Sequence, residues 1–308
     1  MIIKYKNAIK IHIDKILKAV DTKKIRKQKF KVVIDACNGA GGKIGPQLLK
    51  KLGCYVIAIN TKQQTPFPHS PEPTPQNLKA LCKKVKASKA DIGFAQDPDA
   101  DRLSIVTNKG IAISEEYTLA LAALAVFIKE KKKKKAIVAN LSTSSLINYI
   151  AKIFKAKEFR TRIGEVYVAT RMKKVGAAIG GEGNGGVIFP KVCYNRDSLS
   201  GMGLILQLLA ETGQTIGQIV AGLPVYYLAK EKIACKTLAE AEKILKKAEK
   251  IYKHKKMDRT EGLKVFIKDA WIHIRASNTE PVVRIFCESS DKRTAVDAIH
   301  ELRLRLQV

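Results

Sequence analysis

Apolar residues recur along this chain with two rhythms, and the switches between them mark out its elements. Ile9, Ile13, Ile16, Leu17 and Val20 fall three or four apart, which predicts a helix over residues 4–20 with a single apolar stripe. KVVIDA (Lys31 to Ala36) predicts a short strand, NGAGG a turn, and IGPQLLKKLG a helix stopped by Gly53. CYVIAIN reads as a second strand. Five prolines between Thr61 and Pro75 predict an extended loop, Gln76 to Ser88 a helix, and ADIGFAQ a third strand. Strands and helices alternating up to residue 110 predict a parallel α/β unit.

The rhythm then repeats. Residues 114–130 form an alanine- and leucine-rich helical pattern, AIVANL a strand, and STSSLINYIAKIF a helix capped by its leading serines. After FRTRIGEVYVATRMKKV come the strand AAIGG, a glycine-rich loop and the helix SLSGMGLILQLLAETG. The last segment differs: a lysine- and glutamate-rich helix around 237–253, the strands LKVFIK, AWIHIR and PVVRIFCES, and a helix from about Thr294. The predicted fold class is α/β, with two consecutive α/β domains (1–110 and 111–222) followed by a smaller α+β domain (223–308).

Composition supports a folded protein: 308 residues, 46% of them hydrophobic, are enough for a substantial core. No stretch is long and apolar enough to span a bilayer, and the lysine-interrupted start has no secretory pattern, so a cytoplasmic location is expected. The six cysteines are dispersed without metal-type spacing, and reduced thiols are expected. A formal charge of +29 would suit nucleic acid, but the lysines are scattered through every segment. The densest run, Lys131 to Lys135, falls between a helix and a strand, as a solvated connection would. With 6% aromatics and no helix-turn-helix signal, the distribution argues against a nucleic-acid partner.

Three short segments carry chemistry. QDPDADR places Asp97, Asp99 and Asp101 at two-residue spacing after an apolar strand, a donor set for a hard divalent cation. An EF-hand is excluded, because Arg102 and Asn108 stand where it needs glycine and glutamate. Arg102 beside such a site suits a phosphate oxygen as the remaining ligand. GGEGNGG contains the dinucleotide spacing but runs into VIFP rather than a helix, which removes that reading. Its Glu182 and Asn184 suit either hydroxyl recognition or a plain turn, and these residues alone do not decide. NGAGG, with no GKS or GKT after it, reads as a packing turn. In RASNTEP, Arg275, Ser277, Asn278 and Thr279 make either a phosphate cradle or an ordinary polar turn.

Taken in order, these loops resemble the α-D-phosphohexomutase family, which includes phosphomannomutase, phosphoglucomutase and phosphoglucosamine mutase. The metal loop DxDxDR, the sugar loop of the form GE followed by a small or amide residue and glycine, and the RxSxTEP phosphate loop all occur here, together with NGAGG, FPHSPEP and RIGEVYV. The resemblance implies that Asp97, Asp99 and Asp101 bind Mg2+ and that Arg102 contacts the reacting phosphoryl group. It further implies that Glu182 and Asn184 hold sugar hydroxyls, while Arg275, Ser277, Asn278 and Thr279 grip the non-reacting phosphate of a hexose phosphate. The implied activity is an intramolecular phosphotransfer between hexose 1- and 6-phosphates, of phosphoglucosamine or phosphomannose type.

The family's phosphoserine lies in a motif of the form SHNP within a preceding domain, and no SHNP occurs in this sequence. The expectation is therefore a mutase portion lacking its nucleophile, with a separately encoded N-terminal phosphoserine domain as a candidate partner. Ser142, Ser144 and Ser145 are expected to cap a helix. The alternatives are a catalytically inactive sugar-phosphate binding protein and, further off, a basic nucleic-acid binder.

Overall fold

The apolar stripe of the first helix, α1 (Ala8–Ala19), buries Ile13 and Ile16. A short second helix, α2 (Thr22–Gln28), follows it, N-capped by the Asp21 carboxylate. The computed structural model describes residues 7–130, 135–277 and 280–307. Residues 4–6 of the expected first helix, Lys131 to Lys134 of the lysine run, and Asn278 and Thr279 lie outside the described residues.

The first sheet contains β1 (Lys31–Asp35), β2 (Tyr55–Ile59), β3 (Ile92–Gln96) and β4 (Leu103–Thr107), in the order β2-β1-β3-β4. Helices α3 (Gly41–Lys51) and α4 (Lys79–Ser88) make its crossovers. Strand β1 is parallel to β2 and β3, whereas β4 is antiparallel to β3. The sheet is thus mixed rather than purely parallel. The cause is local: only residues 97–102 separate β3 from β4, too few for a parallel crossover, so the acidic segment folds back as a hairpin.

The second sheet repeats the plan. After α5 (Glu116–Lys129) come β5 (Ala136–Asn140), α6 (Leu146–Ile153), β6 (Lys157–Thr161), α7 (Glu165–Val175), β7 (Ile179–Glu182) and β8 (Gly186–Ile188). Its order is β6-β5-β7-β8, and β8 again turns back antiparallel. Helices α8 (Ser198–Thr212) and α9 (Ile216–Ala221) complete it. Helix α5 is apolar almost all round and, as that pattern requires, is buried from Thr118 to Phe127. It packs on α8, and one continuous core runs from Ile13 and Ile34 through Leu121 and Ile147 to Leu206. The two α/β units therefore share an interior.

The third sheet is antiparallel throughout, in the order β10-β11-β12-β13-β9. Its strands are β9 (Tyr227–Ala234), β10 (Lys256–Asp258), β11 (Leu263–Ile267), β12 (Ala270–Ala276) and β13 (Val282–Ser289). Helices α10 (Leu238–Ile251) and α11 (Lys292–Leu306) cover one face, where Ala241 and Ile299 join Ile272, Ile274 and Ile285 in a separate core. No helix among the described residues is long and apolar enough to cross a membrane, and all six cysteines are free.

The NGAGG turn packs directly on the acidic hairpin. The Ala40 amide donates to the Pro98 carbonyl at 2.7 Å, and a Cβ on Gly39 would stand 2.2 Å from that same oxygen. Gly39→Ala therefore forces two backbone segments apart, and it is expected to lower stability by about 1–3 kcal/mol. Thermal denaturation checks this; an unchanged midpoint would show that the turn and the hairpin are not in contact.

Candidate functional site

The acidic hairpin is shaped by backbone strain held from outside. Ala100 sits at φ 61°, in the left-handed region that a Cβ disfavours. Its carbonyl accepts the Ser198 hydroxyl at 2.6 Å, and Ser198 also receives a hydrogen bond from the Gln96 amide group at 2.7 Å. The first residue of α8 thus fixes the tip of the hairpin. The turn brings Asp97, Asp99 and Asp101 together, with one ligand oxygen from each lying within 4.8 Å of the others. Asp97 is buried, Asp101 half-buried and Asp99 exposed.

This arrangement is electrostatically incomplete by itself. Burial, reinforced by the charges of Asp101 and Asp99, pushes the Asp97 carboxyl up to about 7 despite a hydrogen bond from the Arg102 amide. Asp101 Oδ1 is buried with no hydrogen-bond partner in the described structure. Arg102 compensates in part, its Nε lying 3.3 Å from Asp97 Oδ2 and 3.6 Å from Asp101 Oδ1. Three converging carboxylates, one with an orphaned oxygen, fit a hard divalent cation.

The glycine-rich loop lies against this hairpin. The Leu103 amide donates to the Gly185 carbonyl at 3.0 Å, and Arg102 bridges Gly186 in antiparallel fashion. Glu182 ends β7 and is buried. Its Oε1 accepts from Asn140 at 2.7 Å and from the Gly164 amide at 2.9 Å, while its Oε2 accepts from Arg196 at 2.6 Å. A carboxylate offers about four acceptor sites, so one more donor can still be received. Asn184 turns its Oδ1 to the Gly186 amide at 3.2 Å. Glu182, Asn184 and Arg102 line one cleft of about 1130 Å³.

The opposite wall belongs to the third sheet. Arg275 of β12 pairs in register with Arg284 of β13, which pairs in register with Lys232 of β9. All three line the cleft, as does Lys230. Like charges directly opposite across strands are unfavourable, and the Nε atoms of both arginines are buried without a hydrogen-bond partner. Burial, with Arg284 adding to it, lowers the Arg275 pKa against the opposing pull of Glu261. A row of three adjacent cations is an anion-binding surface. Ser277 is buried at its end, its hydroxyl accepting the Glu280 amide at 3.3 Å; Asn278 and Thr279 are outside the described residues.

The serines of LSTSS divide their work. Ser144 Oγ accepts the Leu146 amide at 3.1 Å and serves the start of α6 as expected. Ser142 and Ser145 instead reach across to the third sheet, which corrects the expectation that they cap the helix. Ser145 Oγ accepts the Trp271 indole N–H at 2.9 Å. His273 Nε2 lies 2.8 Å from the Glu261 carbonyl, which can only accept, so the proton is on Nε2 and Nδ1 accepts the Ser142 hydroxyl at 2.9 Å. Burial depresses His273 to about 4 and Lys264 to about 7; Lys264 lies over the Trp271 ring at 3.7 Å and donates to the Leu141 carbonyl at 2.6 Å.

Arg102, Glu182, Asn184 and Arg275 therefore line one cleft, and Asp97, Asp99 and Asp101 converge in the hairpin that carries Arg102. Sequence reasoning missed Arg196, Lys230, Lys232 and Arg284. The i, i+2 spacing of Lys230 and Lys232 was a usable signal, since it puts both on one face of a strand. Arg196 and Arg284 carried none.

Comparison with known proteins supplies three matches in chain order. The family models for phosphoglucomutase/phosphomannomutase alpha/beta/alpha domain II, alpha/beta/alpha domain III and C-terminal domain match residues 10–110, 114–227 and 230–304. A phosphoglucomutase/phosphomannomutase of Thermococcus kodakarensis is 38% identical over 301 residues, covering 97% of this chain and 65% of the relative. A phosphoglucosamine/phosphogalactosamine mutase of Sulfurisphaera tokodaii is 33% identical, covering 96% and 66%. The crystal structure of a phosphoglucomutase/phosphomannomutase family protein from Burkholderia thailandensis superposes with a TM-score of 0.82 at 25% identity, covering 97% and 64%. The chain spans about two thirds of the length of these proteins.

Glu116 is buried in the lining of the cleft, its Oε2 accepting the Ser144 amide at 2.9 Å. Burial pushes its carboxyl up to about 8, against the opposing charge of Lys230. Because the folded state holds this proton more tightly than the unfolded one, the contribution is fully present below the unfolded value. It is lost as pH rises from about 4.5 to 8. Glu116→Gln removes that loss, so the variant should gain stability relative to wild type across this window, by up to about 4 kcal/mol at pH 8. Denaturant titrations of both proteins at several pH values check it, and a pH-independent difference would show that Glu116 does not titrate there.

Proposed function

The chain belongs to the phosphoglucomutase/phosphomannomutase family, and from that premise we propose that it provides the metal, sugar and phosphate sites of a phosphohexomutase. One observation supports the reading above the others: Arg102 of the acidic hairpin, the carboxylate-and-amide loop and a row of cations line one cleft. A hexose phosphate matches that division, with its phosphate on Arg275, Arg284 and Lys232 and its hydroxyls toward Glu182 and Asn184. Ser277, Asn278 and Thr279 extend the phosphate cradle in this proposal. The proposed functional units are residues 1–110, 111–222 and 223–308.

Asp97, Asp99 and Asp101 would hold Mg2+, which when bound supplies positive charge for a phosphoryl group in transfer. Arg102, between two of these carboxylates, is placed to hold a phosphoryl oxygen at the same position. Glu182 would orient a hydroxyl by accepting its hydrogen bond. In this proposal the phosphoserine that donates the phosphoryl group would dock beside Arg102. The GEGNGG loop and the names of several relatives, phosphoglucosamine mutases, support a glucosamine phosphate as substrate.

Calorimetry on the 308-residue chain tests the assignment. A charge-assisted hydrogen bond contributes about 1.5–3 kcal/mol, so Arg275→Ala should weaken glucosamine 6-phosphate binding about tenfold or more. Asp99→Ala should weaken Mg2+ binding and leave the phosphate affinity in the absence of metal unchanged. Equal affinity of the wild-type chain for inorganic phosphate and for the sugar phosphate would sink the sugar loop. Tight Mg2+ binding by Asp99→Ala would remove the aspartates from the metal role.

A further inference from the structure

Arg196 lies between the two loops that the proposed function requires, and its side chain touches both. Its guanidinium donates to Asp101 through Nη2 and to Glu182 through Nη1 at 2.6 Å; its Nε lies 3.7 Å from Glu165. Three carboxylates from three separate segments thus converge on one half-buried fork. The backbone is fixed to suit. The Arg196 amide donates to Glu165 Oε1 at 2.9 Å, and Arg196 bridges Ile188 of β8. The next residue, Asp197, caps α8 through the Leu199 and Ser200 amides and lies 3.0 Å from His12 Nε2 of α1.

The glycine loop also makes room for this side chain. A Cβ on Gly186 would stand 2.3 Å from Arg196 Cδ. Gly186 is therefore small because the arginine stem passes over it, and the backbone joint between the loops and the guanidinium lie together.

We propose that Arg196 is a positioning residue that ties the acidic hairpin to the glycine-rich loop, holding Asp101 in the orientation that ligates a divalent cation while holding Glu182 for the sugar. The inference rests on the proposed function for the identity of the two loops. The tie itself rests on contacts already present. Geometry and charge make opposite predictions here. If Arg196 acted only as a nearby positive charge, removing it would strengthen cation binding at the aspartates. If it positions Asp101, removing it weakens binding, as loss of the hydrogen-bonding partner of a metal ligand does, by about ten- to hundredfold. Lysine keeps the charge but cannot fork to two carboxylates, so it cannot replace the arginine.

The experiment is calorimetric titration of Mg2+ into the full chain and its Arg196→Met, Arg196→Lys and Gly186→Ala variants, with thermal unfolding as the control for folding. Arg196→Met and Arg196→Lys should both lose Mg2+ affinity by about tenfold or more, and Gly186→Ala should follow them by displacing the stem. Tighter Mg2+ binding by Arg196→Met, or wild-type affinity in Arg196→Lys, would overturn the proposal. Should the wild-type chain take up no Mg2+, the metal reading falls, and the tie is read from backbone amide resonances instead. Arg196→Lys must then shift residues in both 97–103 and 182–186, and shifts confined to one loop would refute it. The same resonance test decides the matter if Arg196→Met does not fold.

Discussion

The hydrogen bond from the Leu103 amide to the Gly185 carbonyl is the joint on which the site depends. It links the first residue of β4 to the loop before β8, and so links the return hairpins of two sheets that repeat the same plan. Neither hairpin could hold this position on its own. Helices α5 and α8 make the joint rigid, because their packing merges the interiors of the two units into one core. The start of α8 then acts on the loops directly, through Ser198 at the strained Ala100 carbonyl and Asp197 at the helix cap. A displacement of α8 relative to α5 would be felt at once by the acidic hairpin and the glycine loop.

Local pattern made much of this legible and register made the rest invisible. Strands β1, β3 and β5, apolar in their interiors and bounded by turn residues, stood out in the sequence, as did α5 and α8. Strand β4 did not, since a reading that expected parallel crossovers had no place for a strand six residues after β3. Strand β9 was hidden by its own chemistry. Its residues are mostly exposed or half-buried because one face lines the cleft, so YLAKEKIA lacks the apolar alternation of a covered strand. The cationic row could not be read at all from spacing. Lys232, Arg275 and Arg284 meet only through pairings across three strands, and β9 reaches its place from the far side of α10 and two further strands.

The serines show the same limit from another side. LSTSS before an apolar run is what a capped helix looks like, and Ser144 behaves that way. What sequence cannot show is that the third sheet packs over this turn. On that sheet the buried His273 Nδ1 takes the Ser142 hydroxyl as its partner, and the Trp271 N–H is shared between Glu288 of its own sheet at 2.8 Å and Ser145 at 2.9 Å. Residues that satisfy a local rule were recruited by a tertiary requirement.

Charge distribution within the cleft follows from the same packing. The net charge of +29 is spread over the surface, where it raises the local concentration of phosphorylated anions without selecting among them. Selection belongs to the cleft, where like charges are brought together on each wall. The acidic hairpin holds three carboxylates with an orphaned oxygen, and the third sheet holds three cations with two orphaned nitrogens. Each cluster is unfavourable alone, and each is relieved by a ligand of the opposite sign. Neighbouring acids and bases within one cleft would ordinarily neutralise each other by pairing. Here Arg102 and Arg196 pair with carboxylates of the acidic hairpin, while Arg275 pairs with Glu261 at 3.4 Å and Arg284 with Glu280 at 3.2 Å. Single atoms remain without a hydrogen-bond partner, among them Asp101 Oδ1 and the Nε atoms of Arg275 and Arg284. Under the proposed function, a hexose phosphate would bring the opposite charge that these orphaned nitrogens lack.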